Sequence, residues 1–135
     1  MAPFAAYGAT LASLGIWALI VMVLSGLSTM GRKAEDRCPC GAPKRDYADP
    51  VYRRHRAFQN ALEIAPAFIA AVLAAVLAGA SPFWVNLLSV VFILSRIAMA
   101  FVHIQTEIQP ARSAFYAIGW LCVIVMALMA VVTAL

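Results

Sequence analysis

"RRHRAFQNALEIAP" (residues 53–66) decides how this chain folds. Arg53, Arg54, His55 and Arg56 stand side by side, and an apolar run begins at once that still carries Gln59, Asn60 and Glu63. The stretch is a boundary where polar chain enters a greasy environment and takes an arginine, two amides and a carboxylate with it. The rest of the sequence shows how greasy that environment is. Of 135 residues, 64% are hydrophobic and 12% charged, with a mean hydropathy of +0.90. Soluble domains carry about 45–50% apolar and about 25% charged residues. The excess is more than one small core can bury, so it must face lipid.

Working outward from the boundary, four apolar runs predict helices at about residues 5–30, 54–79, 82–105 and 112–134. Each is close to the roughly 20 residues that span about 30 Å of hydrocarbon. Open strands are excluded, because lipid cannot satisfy a free sheet edge. The expected fold is an all-α integral membrane protein, a four-helix bundle built as a single domain over residues 1–135.

Charge sets the expected orientation. Eight of the ten Lys and Arg residues lie between Gly31 and Arg56, and the connection Ala78–Pro82 has none. Cytoplasmic loops carry the positive excess. The loop at about 31–53 is therefore expected inside and both termini outside. Positives that flank membrane spans do not suit nucleic acid, and no positive residue precedes the first apolar run as a signal peptide requires.

That loop, "GRKAEDRCPCGAPKRDYADP", reads as unpacked chain because of its Pro, Gly and mixed charge. Cys38 and Cys40 form a Cys-Pro-Cys motif, and Cys122 stands alone in the fourth helix. Structural zinc takes four ligands, commonly in paired Cys-x2–4-Cys spacing. No second pair is present, so no metal site is expected. The two loop thiols read as reduced surface groups in a mobile segment, and Cys122 as a small core residue.

The polar residues on the helices have a pattern. Arg56, Asn60 and Glu63 fall at i, i+4 and i+7, one face of a helix. Arg96 and His103 are seven apart on the third helix, and Arg112, Ser113 and Tyr116 cluster at the start of the fourth. A charged side chain at the centre of a membrane helix costs about 2.5–3.5 kcal/mol on insertion scales, so such groups face protein or water and find partners. Glu63 with Arg96 is the expected pair. A plainer reading keeps that pair as a packing device and Arg53, Arg56 and Arg112 as interfacial anchors.

"RAFQNALEIAPAF", "SRIAMAFVH" and "PARSAFYAIG", in that order, resemble the MAPEG family, the membrane-associated proteins in eicosanoid and glutathione metabolism. The similarity is greatest to its microsomal glutathione transferase and prostaglandin E synthase branch. It spans about residues 30 to 120. The resemblance implies a homotrimer that binds glutathione, as co-substrate, near the cytoplasmic face. It implies that Arg112 holds the glutathione sulfur as thiolate and that Tyr116 lines the peptide site; Tyr116 or Ser113 can add a hydrogen bond to the sulfur. Arg56, Gln59, Asn60, Glu63, His103 and, loosely, Arg32 would line the peptide site, and Glu63 with Arg96 would brace it. Gln59, Met99 and His103 depart from the synthase pattern.

The residues support such chemistry on their own terms. Guanidinium forks match the carboxylates of glutathione. A free thiol has a pKa of about 8.5, and a fixed cation in a poorly hydrated site favours its anion. The second substrate, a lipophilic electrophile or lipid hydroperoxide, would arrive from the bilayer. Two other classes stay open, the first from the resemblance and the second from Glu63 and Arg96 as the lining of a polar path. One is a non-enzymatic lipid-binding or activating protein of the same fold. The other is a small channel or transporter, which the absence of a broken midplane helix disfavours.

Overall fold

In a bilayer every backbone polar group must be satisfied within its own segment, so each apolar run closes into a helix. The computed structural model describes residues 4–135. Residues 1–3, where the expected domain and its N-terminal flank begin, lie outside the described residues. A short 3-10 turn, Ala5–Tyr7, leads into α1, Gly8–Thr29. Then come α2, Pro50–Leu77, α3, Pro82–Gln105, and α4, Gln109–Ala134. All four helices are long and apolar enough to cross a membrane. The chain is an all-α integral membrane protein.

Local chemistry sets the ends. α2 starts at Pro50, ahead of the expected 54, because Asp49 caps it: its carboxylate accepts from the Val51 N–H at 2.8 Å, and Pro50 takes the first turn. α4 likewise starts at Gln109, with Pro110 in its first turn. α2 ends in a Schellman motif: Ala80 N–H reaches Ala75 O at 2.9 Å and Gly79 N–H reaches Val76 O at 3.1 Å. Gly79 holds φ at +75° there, a conformation that penalises other residues.

α2 packs against α1, α3 and α4, and α1 lies on α2 and α3. At their common centre the Phe68 and Phe92 rings stack at 3.8 Å, and Trp17 meets Phe92 edge-on at 5.2 Å. The outer surface is apolar, with Leu19, Met22, Leu77 and Val132 all exposed, while Thr10, Ser13, Ser89, Asn60, Arg96 and Arg112 are buried. The surface is thus apolar as well as the core, and a minority of polar side chains is held inside. At the end remote from the long loop, Asn86 of α3 ties down the start of α1. Its Oδ1 accepts from Thr10 N at 2.9 Å and Thr10 Oγ1 at 2.7 Å, and its Nδ2 donates to Ala6 O at 2.8 Å. One side chain thus satisfies an N–H that the helix start leaves orphaned.

The loop expected to be unpacked has structure. Ala34–Asp36 forms a 3-10 turn, and Arg37 and Pro43 form an antiparallel bridge. Lys44 N–H donates to Asp36 O at 3.1 Å and Cys38 N–H to Ala42 O at 3.0 Å. Gly41, at φ +82°, reverses the chain tightly enough for its flanks to pair.

α3 and α4 cross where Gly119 lies. A Cβ there would stand 3.0 Å from Ser95 Oγ and 3.2 Å from Arg96 Cδ. Gly119→Val is expected to cost about 1–3 kcal/mol by overpacking and to displace Arg96. Thermal unfolding of the purified protein in detergent checks this; an unchanged midpoint means the crossing is looser than described.

Candidate functional site

The basic boundary sends its side chains to different neighbours. Arg53 Nε donates to Ile104 O at 3.0 Å, and its Nη1 donates to Tyr47 O at 2.7 Å and Ala48 O at 3.0 Å. Its guanidinium also lies 3.6 Å from the Glu107 carboxylate. Arg54 donates to Met30 O at 2.9 Å. Arg32 donates to Ser28 O at 2.6 Å and to His55 Nδ1 at 3.2 Å. A guanidinium only donates, so His55 Nδ1 is the acceptor. The carbonyls of Ser28, Met30 and Ile104 lie at helix C-terminal ends, which leave such groups free, and those of Tyr47 and Ala48 belong to the loop before α2. Arg32 and His55 thus belong to the α1–α2 seam.

Arg56 turns along its own helix to Glu63, 3.2 Å away. The expected Glu63–Arg96 pair does not form. Arg96, only 4% exposed, donates to Asn60 Oδ1 instead. A neutral amide is cheaper to strip of water than a carboxylate, which favours it as the acceptor inside the bundle. Glu63, whose side chain is 52% exposed, stays at the rim.

Two spaces adjoin Asn60. The inner one, about 10 Å³, is lined by Trp17, Asn60, Arg96, Met99 and His103, among others. Around it Trp17 Nε1, Arg96 Nη1 and both His103 ring nitrogens lack protein partners. That volume is at the lower limit for one buried water, and the groups around it are polar. The outer space is an open cleft of about 240 Å³ lined by Asn60, Glu63, Met99, Arg112, Ser113 and Tyr116. Arg96 links the two, its Cζ lying 5.5 Å from the Tyr116 ring centroid. Arg112 is 9% exposed, and its Nη1 has no hydrogen-bond partner.

Of the residues singled out from sequence, Asn60, Glu63, Arg112, Ser113 and Tyr116 converge on the cleft. Arg56 reaches its edge through Glu63. Arg96 and His103 lie behind it on the inner space. Arg32 and Gln59 line neither space. Sequence reading missed Tyr47, whose ring lies 4.4 Å from Arg112 Cζ and 6.2 Å from the His103 ring. It sits in the long loop with no periodicity to mark it. The only hint was an aromatic residue six positions before Arg53, which holds it in place through the backbone.

The cleft thus holds a buried guanidinium that lies against the Tyr47 ring and lacks a hydrogen-bond partner at Nη1, with an Arg-x-x-x-Asn-x-x-Glu face beside it. The MAPEG family model matches residues 4–132, essentially the whole chain. The chain belongs to the MAPEG family. No curated protein matches it. For this MAPEG protein no group of three or more His, Cys, Asp or Glu side chains placed to hold a metal occurs among the described residues.

The Arg96–Asn60 contact yields a double-mutant test. Asn60→Leu strands a buried cation and is expected to cost about 2–3 kcal/mol. Adding Arg96→Met removes that cation and recovers most of the loss. Additive losses in the cycle, measured by unfolding in micelles, would mean that the two side chains act independently.

Proposed function

We propose that the protein is a glutathione-dependent membrane transferase or peroxidase. In this reading it activates glutathione as the thiolate for attack on a lipophilic electrophile or a lipid hydroperoxide. The family includes glutathione transferases, peroxidases and synthases. The observation that carries the reading is Arg112: buried, lacking a partner at Nη1, and lining an open cleft with Asn60, Glu63, Ser113 and Tyr116.

The chemistry follows from that arrangement. Arg112 is permanently charged, so it stabilises a sulfur anion electrostatically and cannot act as a base. Lowering a thiol pKa by about two units corresponds to about 2.7 kcal/mol and makes the thiolate the majority species near neutral pH. Ser113 and Tyr116 offer hydroxyl donors to the same sulfur. Arg56 offers a fork to a glutathione carboxylate, and Glu63 an acceptor to its ammonium group. Gln59, His103, Arg32 and Arg96 complete the proposed peptide site: Arg96 through Asn60, and Arg32 and Gln59 only if a second subunit brings them to the cleft. The proposed assembly is a homotrimer, with the loop face cytoplasmic and both termini on the other side. The acceptor substrate enters from the bilayer, which the open side of the cleft permits.

A second reading is a lipid-binding or activating protein without chemistry. It is favoured by an apolar groove of about 320 Å³ between α1 and α3, lined by Ile16, Leu19, Val23, Ile97 and Phe101, a shape suited to an acyl chain. Calorimetric titration with glutathione separates the two: no heat and no thermal stabilisation selects the lipid binder.

Arg112→Leu is expected to lower kcat/KM for conjugation of an aromatic halide by about 100-fold, matching about two units of lost thiolate stabilisation. Its ultraviolet thiolate absorbance with glutathione should fall in parallel. A wild-type rate in that variant would remove Arg112 from the proposed chemistry.

A further inference from the structure

The Cys-Pro-Cys motif has no part in the cleft, yet its geometry is specific. Cys38, Pro39, Cys40 and Gly41 occupy the tip of the paired loop between α1 and α2. Gly41 N–H donates to Cys38 O at 2.8 Å, closing the turn, and Cys38 N–H to Ala42 O at 3.0 Å holds its flanks together. Proline restricts the middle residue, and Gly41 adopts φ +82°. The two sulfurs emerge on the same side, 3.1 Å apart. Both are free thiols, Cys40 exposed and Cys38 partly covered. Ala42 O, 3.1 Å from Cys38 Sγ, is an alternative acceptor for the same thiol proton.

We infer that Cys38 and Cys40 form a thiol–disulfide exchange site that reduces low-molecular-weight disulfides, with Cys40 as attacking and Cys38 as resolving sulfur. The inference does not rest on the glutathione reading. The environments of the two sulfurs assign the roles. Hydrogen bonding from the Ala42 backbone and then from the Cys38 thiol holds the Cys40 pKa below its ordinary value. The hydrogen bond with Cys40 pushes Cys38 up. The thiolate is the nucleophile in such exchange, so the exposed, more acidic sulfur attacks first. Zinc is a poorer occupant, because it takes four ligands and no cluster of three or more candidate ligands occurs among the described residues.

The steps balance. The Cys40 thiolate attacks one sulfur of R–S–S–R. That bond breaks, R–S⁻ leaves and takes a proton from water, and a Cys40–S–S–R mixed disulfide remains. Cys38 then loses its proton and attacks Cys40 Sγ, expelling the second R–S⁻. The protein dithiol is oxidised to a Cys38–Cys40 disulfide, and R–S–S–R is reduced to two R–SH. Exposed disulfides are the labile kind, so an external thiol can reverse the sequence and reset the site.

Dithiodipyridine tests this on the full-length protein in detergent, followed by the absorbance of released thiopyridone and by intact mass. Wild type should release two thiopyridones from the loop and end as a closed disulfide, lighter by two hydrogens, with no adduct on residues 38 or 40. Cys38→Ser should stop at a stable mixed disulfide on Cys40. Cys40→Ser should react about tenfold more slowly than Cys38→Ser, because the sulfur it retains is the partly covered one and the Ala42 backbone bond that favours the Cys40 anion is lost with Cys40. A wild-type product with adducts on both cysteines overturns the inference, as do equal rates in the two variants. Buried Cys122 is replaced by Ser in a parallel sample, so that its own slow reaction is not counted.

Discussion

A guanidinium inside an apolar bundle is the constraint around which the rest of this structure is arranged. Arg96 is buried and donates to Asn60 Oδ1. An arginine cannot lose its proton to escape the cost of burial, so the helices around it must supply acceptors and exclude lipid. α2 supplies Asn60. α4 supplies the Tyr116 ring face and approaches closely at Gly119, which leaves the arginine stem its room. α1 supplies Trp17 at the wall of the small inner space. Each of the four helices is therefore positioned partly by one side chain, and the cleft with Arg112 opens on the flank of that arrangement.

Much of this was legible in the sequence because membrane burial makes polar residues conspicuous. Uninterrupted apolar runs could only be spanning helices, and the 3.6-residue period placed Asn60 and Glu63 on one face. The convergence of Asn60, Glu63, Arg112, Ser113 and Tyr116 on one cleft follows from those two facts. Family membership, expected from the ordered motifs, is shown by the match over residues 4–132.

What escaped was decided by competition between partners. Depth along the helices suggested Glu63 for Arg96, but depth does not rank a carboxylate against an amide, and Asn60 was available on the same face. Arg56 then took Glu63 from its own helix. The members of the four-residue basic run serve separate partners: the loop, the end of α1, Arg32 and Glu63. Tyr47 was invisible because its place over Arg112 depends on carbonyls of residues 47 and 48 bound by Arg53. Backbone acceptors leave no trace in a list of side chains. The order in the long loop was hidden for a similar reason: composition flags flexibility, whereas one glycine with positive φ determines whether the flanks can meet.

The arginine tethers have an implication for how this membrane face withstands acid. Arg53 holds the segment at Tyr47 and Ala48 through carbonyl oxygens, and it grips the end of α3 at Ile104 in the same manner. Arg54 and Arg32 hold the end of α1 at Met30 and Ser28. Carbonyls do not take up protons as pH falls, and guanidinium groups do not release them as it rises. Glu107, at the periphery, adds an ion pair to Arg53 at 3.6 Å. The Arg53 bonds that keep Tyr47 over Arg112 end on carbonyl oxygens with no proton to gain or lose, so falling pH leaves those two tethers fastened.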